Sequence, residues 1–192
     1  MARDVHGTGG AGLAAALVMV WMWCSGLHAS DGVGRTPGDT GAFVYGLAKF
    51  VTWPGSAFDG TDNRFVVAAV GGETVREGLI SIQGKQVHGR EVVVKGTTPS
   101  GGLPPCQLVV VGHDSREGRE SILEAVRAQP VLTVSHAAGF ARGGGMVSFS
   151  SVGKDVDFEI NLEAVHEGGL RISSQLLRQA RVVWTGGGCG DD

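Results

Sequence analysis

Four polar side chains that could do acid–base or nucleophilic chemistry lie at the ends of two predicted strands. His113 and Asp114 follow one apolar run, and Ser135 and His136 end another. Serine, histidine and aspartate are the residue types of a hydrolase triad. However, no Gly-x-Ser-x-Gly turn presents a serine, and Asp114 is better placed as the N-cap of the following helix. We therefore predict no catalytic residues here.

A ligand crevice is the alternative use of this strand edge. The turn Gly71-Gly72 follows an apolar run and opens a helix, as phosphate-binding loops do. It lacks both the Gly-x-Gly-x-x-Gly spacing and the P-loop lysine. Open α/β sheets nevertheless bind ligands at the carboxyl ends of their strands, so Gly71, His113 and His136 are the candidate lining. No Cys/His cluster has metal-ligand spacing, and we predict no cofactor.

Alternating apolar runs and amphipathic segments must position these residues. Strands separated by helices of 10 to 15 residues favour βαβ units and a parallel sheet. The chain predicts strands at 64–70, 91–95, 107–111 and 131–135, and helices at 40–53, 73–83 and about 114–128.

The C-terminal third has a different pattern and consists mostly of scaffold. Residues 146–151 and 156–161 alternate polar and apolar side chains, which predicts an antiparallel hairpin. Asn161 is expected to cap a short helix, and an amphipathic helix is expected over 172–183. The predicted fold is a three-layer α/β sandwich with a mostly parallel sheet, extended by this hairpin and closed by a C-terminal helix. Such a protein is expected to act by binding.

The N-terminus has the features of an export signal. Arg3 precedes an apolar stretch over 11–23, and cleavage is expected after Ala29. An uncleaved membrane anchor is the alternative, although the stretch is shorter than the roughly 20 residues that span a bilayer. The predicted organisation is a signal peptide at 1–29, a flexible lead-in at 30–39, one α/β domain at 40–184 and a flexible glycine-rich tail at 185–192.

Composition and cysteine content narrow the function classes. A 192-residue chain favours one domain. The net charge of −3, without a basic run, argues against nucleic acid as a partner. Loss of the signal peptide would remove Cys24 and leave Cys106 and Cys189. These two could form a disulfide within or between molecules, or Cys106 could be a small packed residue.

Several short motifs together resemble the YfiR family of small exported bacterial proteins. They run in order from about Ala42 to Val183: KFVTWP at 49–54, PVLTVS at 130–135, Gly139-Phe140, GGM at 144–146, FEIN at 158–161, RISSQLL at 171–177 and ARVV at 180–183. The signature residues, which we interpret as mainly structural, are Trp53, Pro54, Phe140, Gly145, Phe158, Glu159, Asn161, Ser173, Ser174 and Gln175.

This resemblance implies a non-enzymatic periplasmic protein with an α/β sandwich fold, commonly dimeric. The best-known member represses a membrane-bound diguanylate cyclase by binding its periplasmic sensor domain, and an outer-membrane lipoprotein can sequester that repressor. Control through the founding member's two disulfides is not expected, because the stretch 139–158 has no cysteine. The leading hypothesis is a cyclase repressor. The alternatives are a periplasmic small-molecule binder and an accessory sensor of a membrane histidine kinase.

Overall fold

The computed structural model describes residues 40–98, 101–112, 116–152, 155–185 and 188–189. The predicted signal peptide and lead-in lie outside these ranges, as do His113 and Asp114. Within them, no helix is long and apolar enough to cross a membrane. The helices are α1 (Thr40–Lys49), α2 (Glu73–Leu79), α3 (Arg116–Ala125), α4 (Leu162–Glu167) and α5 (Ser174–Leu177), with short 3-10 helices at Gly55–Phe58 and Ile80–Ile82.

A nine-stranded mixed sheet forms the centre of the described structure. The strands are β1 (Val51–Thr52), β2 (Phe65–Val70), β3 (Gln86–Val87), β4 (Arg90–Thr97), β5 (Leu108–Val111), β6 (Leu132–Ser135), β7 (Val147–Val152), β8 (Asp155–Asn161), β9 (Arg171–Ile172), β10 (Val182–Thr185) and β11 (Gly188–Cys189). The order across the sheet is β11-β10-β8-β7-β6-β5-β2-β4-β3, and β1 pairs separately with β9.

Five adjacent strands, β4, β2, β5, β6 and β7, run parallel. Every residue of β2, β5 and β6 is buried, as expected for parallel strands covered on both faces. Alternate residues belong to two hydrophobic clusters on opposite faces of the sheet. The first includes Val67 and Val110 together with α1, and the second includes Val66, Val109 and Ile122 of α3. The predicted three-layer α/β fold with its antiparallel hairpin of β7 and β8 is confirmed.

The prediction of a closing helix over 172–183 is wrong for most of that segment. Only α5 is helical, and Val182 and Val183 instead pair in parallel with β8. The backbone N–H of Arg181 starts this pairing by donating to the carbonyl of Phe158 at 2.8 Å. Consecutive β-branched residues suit a strand, and the hairpin offers them an unpaired edge. Beyond β10, where a flexible tail is predicted, β11 adds a further two-residue strand.

The first helix is shorter than predicted, because it ends at Lys49. Val51 and Thr52 form β1 and pair with Ile172 and Arg171 of β9. This pairing connects the two ends of the domain sequence, about 120 residues apart. No local pattern in the sequence could indicate it.

The side chain of Gln107 connects three separate parts of the fold. It is 0% exposed. Its Oε1 accepts from the backbone N–H of Val66 at 2.6 Å, and its Nε2 donates to the carbonyl of Ala57 at 2.5 Å. The indole N–H of Trp53 donates to the main-chain carbonyl of Gln107 at 2.9 Å. Gln107 therefore fastens the segment after α1 to the N-terminal ends of β2 and β5.

Replacing Gln107 with leucine should lower the free energy of unfolding by about 2–4 kcal/mol, because it leaves a buried N–H and a buried C=O without partners. Urea unfolding followed by circular dichroism measures the change. Gln179→Leu, the same substitution at an exposed position, is the control and should change stability by less than about 0.5 kcal/mol. Equal effects of the two substitutions would contradict the structural role of Gln107.

Candidate functional site

The loop between β6 and β7 is held over the sheet by buried hydroxyl groups. Ser135 Oγ donates to the carbonyl of Val111 at 2.8 Å and accepts from the backbone N–H of Ala137 at 3.1 Å. Thr133 Oγ1 accepts from the N–H of Met146 at 2.8 Å. The Ser135 hydroxyl thus donates one hydrogen bond and accepts another, and both bonds serve to hold the loop.

Three signature residues complete this support. Asn161 Oδ1 accepts from the N–H of Ala164 at 3.0 Å, which confirms the predicted cap of α4. Its Nδ2 donates to the carbonyl of Ala141 in the loop at 2.9 Å. Gly145 is needed for steric reasons, since a Cβ atom there would lie 2.2 Å from Cε1 of Phe140. The side chain of Asn161 therefore positions both the loop and α4.

A polar surface lies beside this loop, on the same face of the sheet as α3. Ser148 Oγ lies 3.5 Å from Glu159 Oε2, and the other oxygen of Glu159 forms an ion pair with Arg181. The Glu159 side chain is 17% exposed and that of Arg181 is 58% exposed. A cavity of about 120 Å³ lies between this surface and His136. It presents a carboxylate and a guanidinium side by side, which suits polar contacts.

His136 lines this cavity, but other elements also hold its ring. Its Nε2 lies 3.0 Å from Thr40 Oγ1 at the start of α1. Its ring centroid lies 3.7 Å from that of Phe149. Much of the imidazole is therefore used to fix the N-terminus of α1 against β7.

Gly71 does not line the cavity that contains His136. An ideal Cβ on Gly112 would lie 3.0 Å from the Cα of Gly71 and 2.9 Å from Val75 Cγ2. The turn after β2 is therefore packed directly on the end of β5. His113 lies outside the described residues, so the proposed joint role of these positions remains a prediction.

A larger cleft of about 460 Å³ lies between α3 and α4. Its rim is acidic and includes Glu120, Glu124, Glu163 and Glu167, with Arg127 as a counter-charge 3.4 Å from Glu124. Sequence reasoning missed this cleft, because the two helices are about 40 residues apart in the chain. Within the described ranges, no three His, Cys, Asp or Glu side chains converge in a way that could hold a metal ion.

The remaining signature residues lie in other parts of the fold. Phe158 is buried in the first cluster, and Pro54 precedes the 3-10 helix Gly55–Phe58. Ser173 caps α5 with its side chain. Ser174 and Gln175 are exposed. The mainly structural role of the signature stays a prediction, and Ser174 and Gln175 are its members that lie exposed on the surface.

Cys106 is buried and its thiol is free. It is 7% exposed, and burial raises the pKa of the thiol to about 12, against a smaller opposing effect of Lys95. Cys189 lies in β11, five strands from β5, which corresponds to roughly 24 Å at about 4.8 Å per strand. Disulfides need Cα atoms within about 7 Å. A bridge between these two cysteines within one chain would therefore require β11 to leave the sheet.

Gly145→Ala should lower the free energy of unfolding by about 1–3 kcal/mol, because the added methyl group overlaps the ring of Phe140. Gly143→Ala is the matched control, since its Cβ would meet no atom closer than 3.4 Å. Thermal and urea unfolding measure both variants. Adding Phe140→Leu to Gly145→Ala should recover part of the loss, whereas strictly additive losses would contradict the assigned clash.

The Cys106 thiol should be unreactive in the native protein. At pH 8 a thiol with a pKa of about 12 is almost entirely protonated, and the thiolate is the reactive form. In a variant with Cys24→Ser and Cys189→Ser, labelling by a disulfide reagent should be at least about 100-fold slower in the folded state than in urea. Comparable rates in the two states would show that Cys106 is accessible.

A solved structure with partial similarity is described as the ABC domain in complex with L-Trp from Streptococcus pneumonia. It is 12% identical, with a TM-score of 0.43, over 64% of this chain and 56% of that chain. The chain thus spans little more than half of that protein. A likeness of this size carries no information about ligands.

The family comparison covers much more of the chain. The sequence profile described as YfiR/HmsC-like, DUF4154, matches residues 40–181. This range begins at α1 and ends just before β10, so it includes the five adjacent parallel strands β4, β2, β5, β6 and β7 and the β7–β8 hairpin. It also contains every signature residue named above. The chain belongs to the YfiR/HmsC-like family.

Proposed function

We propose that this chain is an exported, non-enzymatic regulator that binds the periplasmic sensor domain of an inner-membrane diguanylate cyclase and represses it. The observation that carries this proposal is the family match over residues 40–181. Export would depend on the signal peptide at 1–29. Dimerisation and release by an outer-membrane lipoprotein belong to the same proposal.

The roles of the signature residues support action by contact. Trp53, Phe140, Gly145 and Asn161 each maintain the scaffold, through hydrogen bonds or close packing. The buried hydroxyl groups of Thr133 and Ser135 bond to backbone groups. A partner would therefore meet the surface of this scaffold, which includes the exposed Arg181 and the mostly buried Glu159 that pairs with it.

Repression by contact is a shift of population. A repressor that binds the inactive form of a sensor domain more tightly than the active form biases the equilibrium between them. A shift from 1:99 to 99:1 needs a preference of about 10⁴-fold. A standard protein–protein interface of roughly 1,600 Å² can provide such a preference when its surface is preorganised.

Small-molecule binding is the second candidate function. The cleft between α3 and α4, at about 460 Å³, falls within the roughly 300–1,000 Å³ of known ligand pockets, and His136 lines a smaller cavity. Combined His113→Ala and His136→Ala substitutions should spare a regulator that acts by protein contact but damage a ligand site at the strand edge. Partnership with a membrane histidine kinase is a variant of the contact mechanism.

Deletion of the gene in its native host should raise cellular cyclic di-GMP severalfold, because the cyclase would lose its repressor. Restoring the full chain should return the level to normal, while a copy without residues 1–29 should not, because it would stay in the cytoplasm. Mass spectrometry of nucleotide extracts measures the level. An unchanged level in every strain would contradict the cyclase partner and favour the kinase or ligand-binding alternatives.

A further inference from the structure

The outer edge of β4 is paired over only half its length. At its start, Gln86 and Val87 of β3 pair with Glu91 and Arg90. The backbone of Val92 then bonds on that side to Gly84 at 2.9 Å and Lys85 at 2.8 Å. The neighbouring chain turns away after this point, so the pairing on this side ends in the middle of the strand.

The second half of β4 presents unpaired backbone groups. The backbone N–H and C=O of Val92 point toward this outer edge. Because backbone groups alternate in direction along a strand, those of Val94 and Gly96 point toward the same edge. The N–H of Val94 is satisfied by the side chain of Gln83 at 2.8 Å. No hydrogen bond from another described residue reaches the carbonyl of Val94 or either backbone group of Gly96. Lys95 and Gly96 are exposed. This edge can therefore accept another strand.

Apolar side chains flank the open edge on one face of the sheet. Val94 packs on the first hydrophobic cluster but remains half-exposed. Ile80, which follows α2, is 54% exposed and is the one exposed large hydrophobic residue in the described part of the chain. Arg76 of α2 reaches the same strand, since a Cβ on Gly96 would lie 3.0 Å from its Cδ. Lys95 faces the opposite side.

The charge of Lys95 argues against a second copy of this chain as the occupant. In a symmetric antiparallel pairing that joins Val94 of one copy to Gly96 of the other, Lys95 would lie directly opposite Lys95. Such Cα atoms are about 4.5 Å apart, and like charges in that position are destabilising. Lysine on an edge strand is a known protection against self-pairing. The same charge would favour a carboxylate on a different molecule.

We propose that the outer edge of β4, at Val94–Gly96, is the docking site for an extended segment of a partner protein. An added strand would bond to the outward backbone groups, as in other strand-addition complexes. Its central residue would be acidic and would lie opposite Lys95. The residues on either side of it would be apolar and would lie on the face of Val94 and Ile80. This site does not depend on which membrane protein is the partner.

Synthetic peptides test the site on the full chain. A fluorescein-labelled extended peptide with a central Val-Glu-Val should bind in fluorescence anisotropy titrations, and a matched Val-Lys-Val peptide should bind about fivefold more weakly. Gly96→Pro removes the outward N–H and should weaken binding of the Val-Glu-Val peptide at least about tenfold. Gly96→Ala keeps that N–H and should stay within about threefold of the unchanged chain. Lys95→Glu should reverse the preference between the two peptides.

Circular dichroism and urea unfolding first establish that each variant is folded. Binding that is equal in the Gly96→Pro and Gly96→Ala variants would overturn the site, as would no binding of the Val-Glu-Val peptide at 1 mM, a concentration corresponding to about −4 kcal/mol. A dimer in sedimentation that Gly96→Pro dissociates would show that a second copy occupies the edge, and it would also overturn the proposal. None of these outcomes bears on cyclic di-GMP repression, which is measured separately in cells.

Discussion

The hydrogen bonds of the buried Gln107 amide hold the parallel core to the segment that follows α1. Strand pairing does not make this connection, because β1 pairs only with β9 and is not part of the nine-stranded sheet. The amide of Gln107 replaces it by bonding to Val66 and Ala57, while Trp53 bonds to its carbonyl. A buried amide stabilises a fold only when its partners are all present. This arrangement holds the segment that follows α1 against the N-terminal ends of β2 and β5, next to the helix that packs on one face of the sheet.

Buried polar side chains also connect separate segments in the part of the sheet formed by β6, β7 and β8. There the inward side chains change from valines to Thr133, Ser135 and Ser148, all buried. Two of these hydroxyl groups bond to the ends of the β6–β7 loop, and Asn161 bonds to its middle. Side chains from two strands, β6 and β8, thus hold this loop in place. Asn161 of the family signature thus has a structural role, because it bonds both to this loop and to the start of α4.

Parts of this fold are predictable from the sequence because their causes are local. Strands β2, β5 and β6 are continuous apolar runs, and Asn161 lies immediately before the helix that it caps. Long-range pairing escapes such reasoning. The amphipathic period of residues 172–183 predicts a helix, but the open edge of β8 pairs with Val182 and Val183, which therefore form part of β10. The predicted strand-end crevice rests on sheet topology alone, and no sequence pattern indicates the close packing of Gly71 on Gly112.

A scaffold that is ordered before binding would suit the contact mechanism that we propose. Every side chain or loop that becomes ordered on binding reduces affinity through lost entropy. Here the β6–β7 loop is already ordered by buried hydrogen bonds, and the exposed part of β4 is held in strand conformation by β2. These surfaces can therefore discriminate between two shapes of a partner without first changing their own. A repressor needs that property, because only a difference in affinity between the partner's two states can shift its equilibrium.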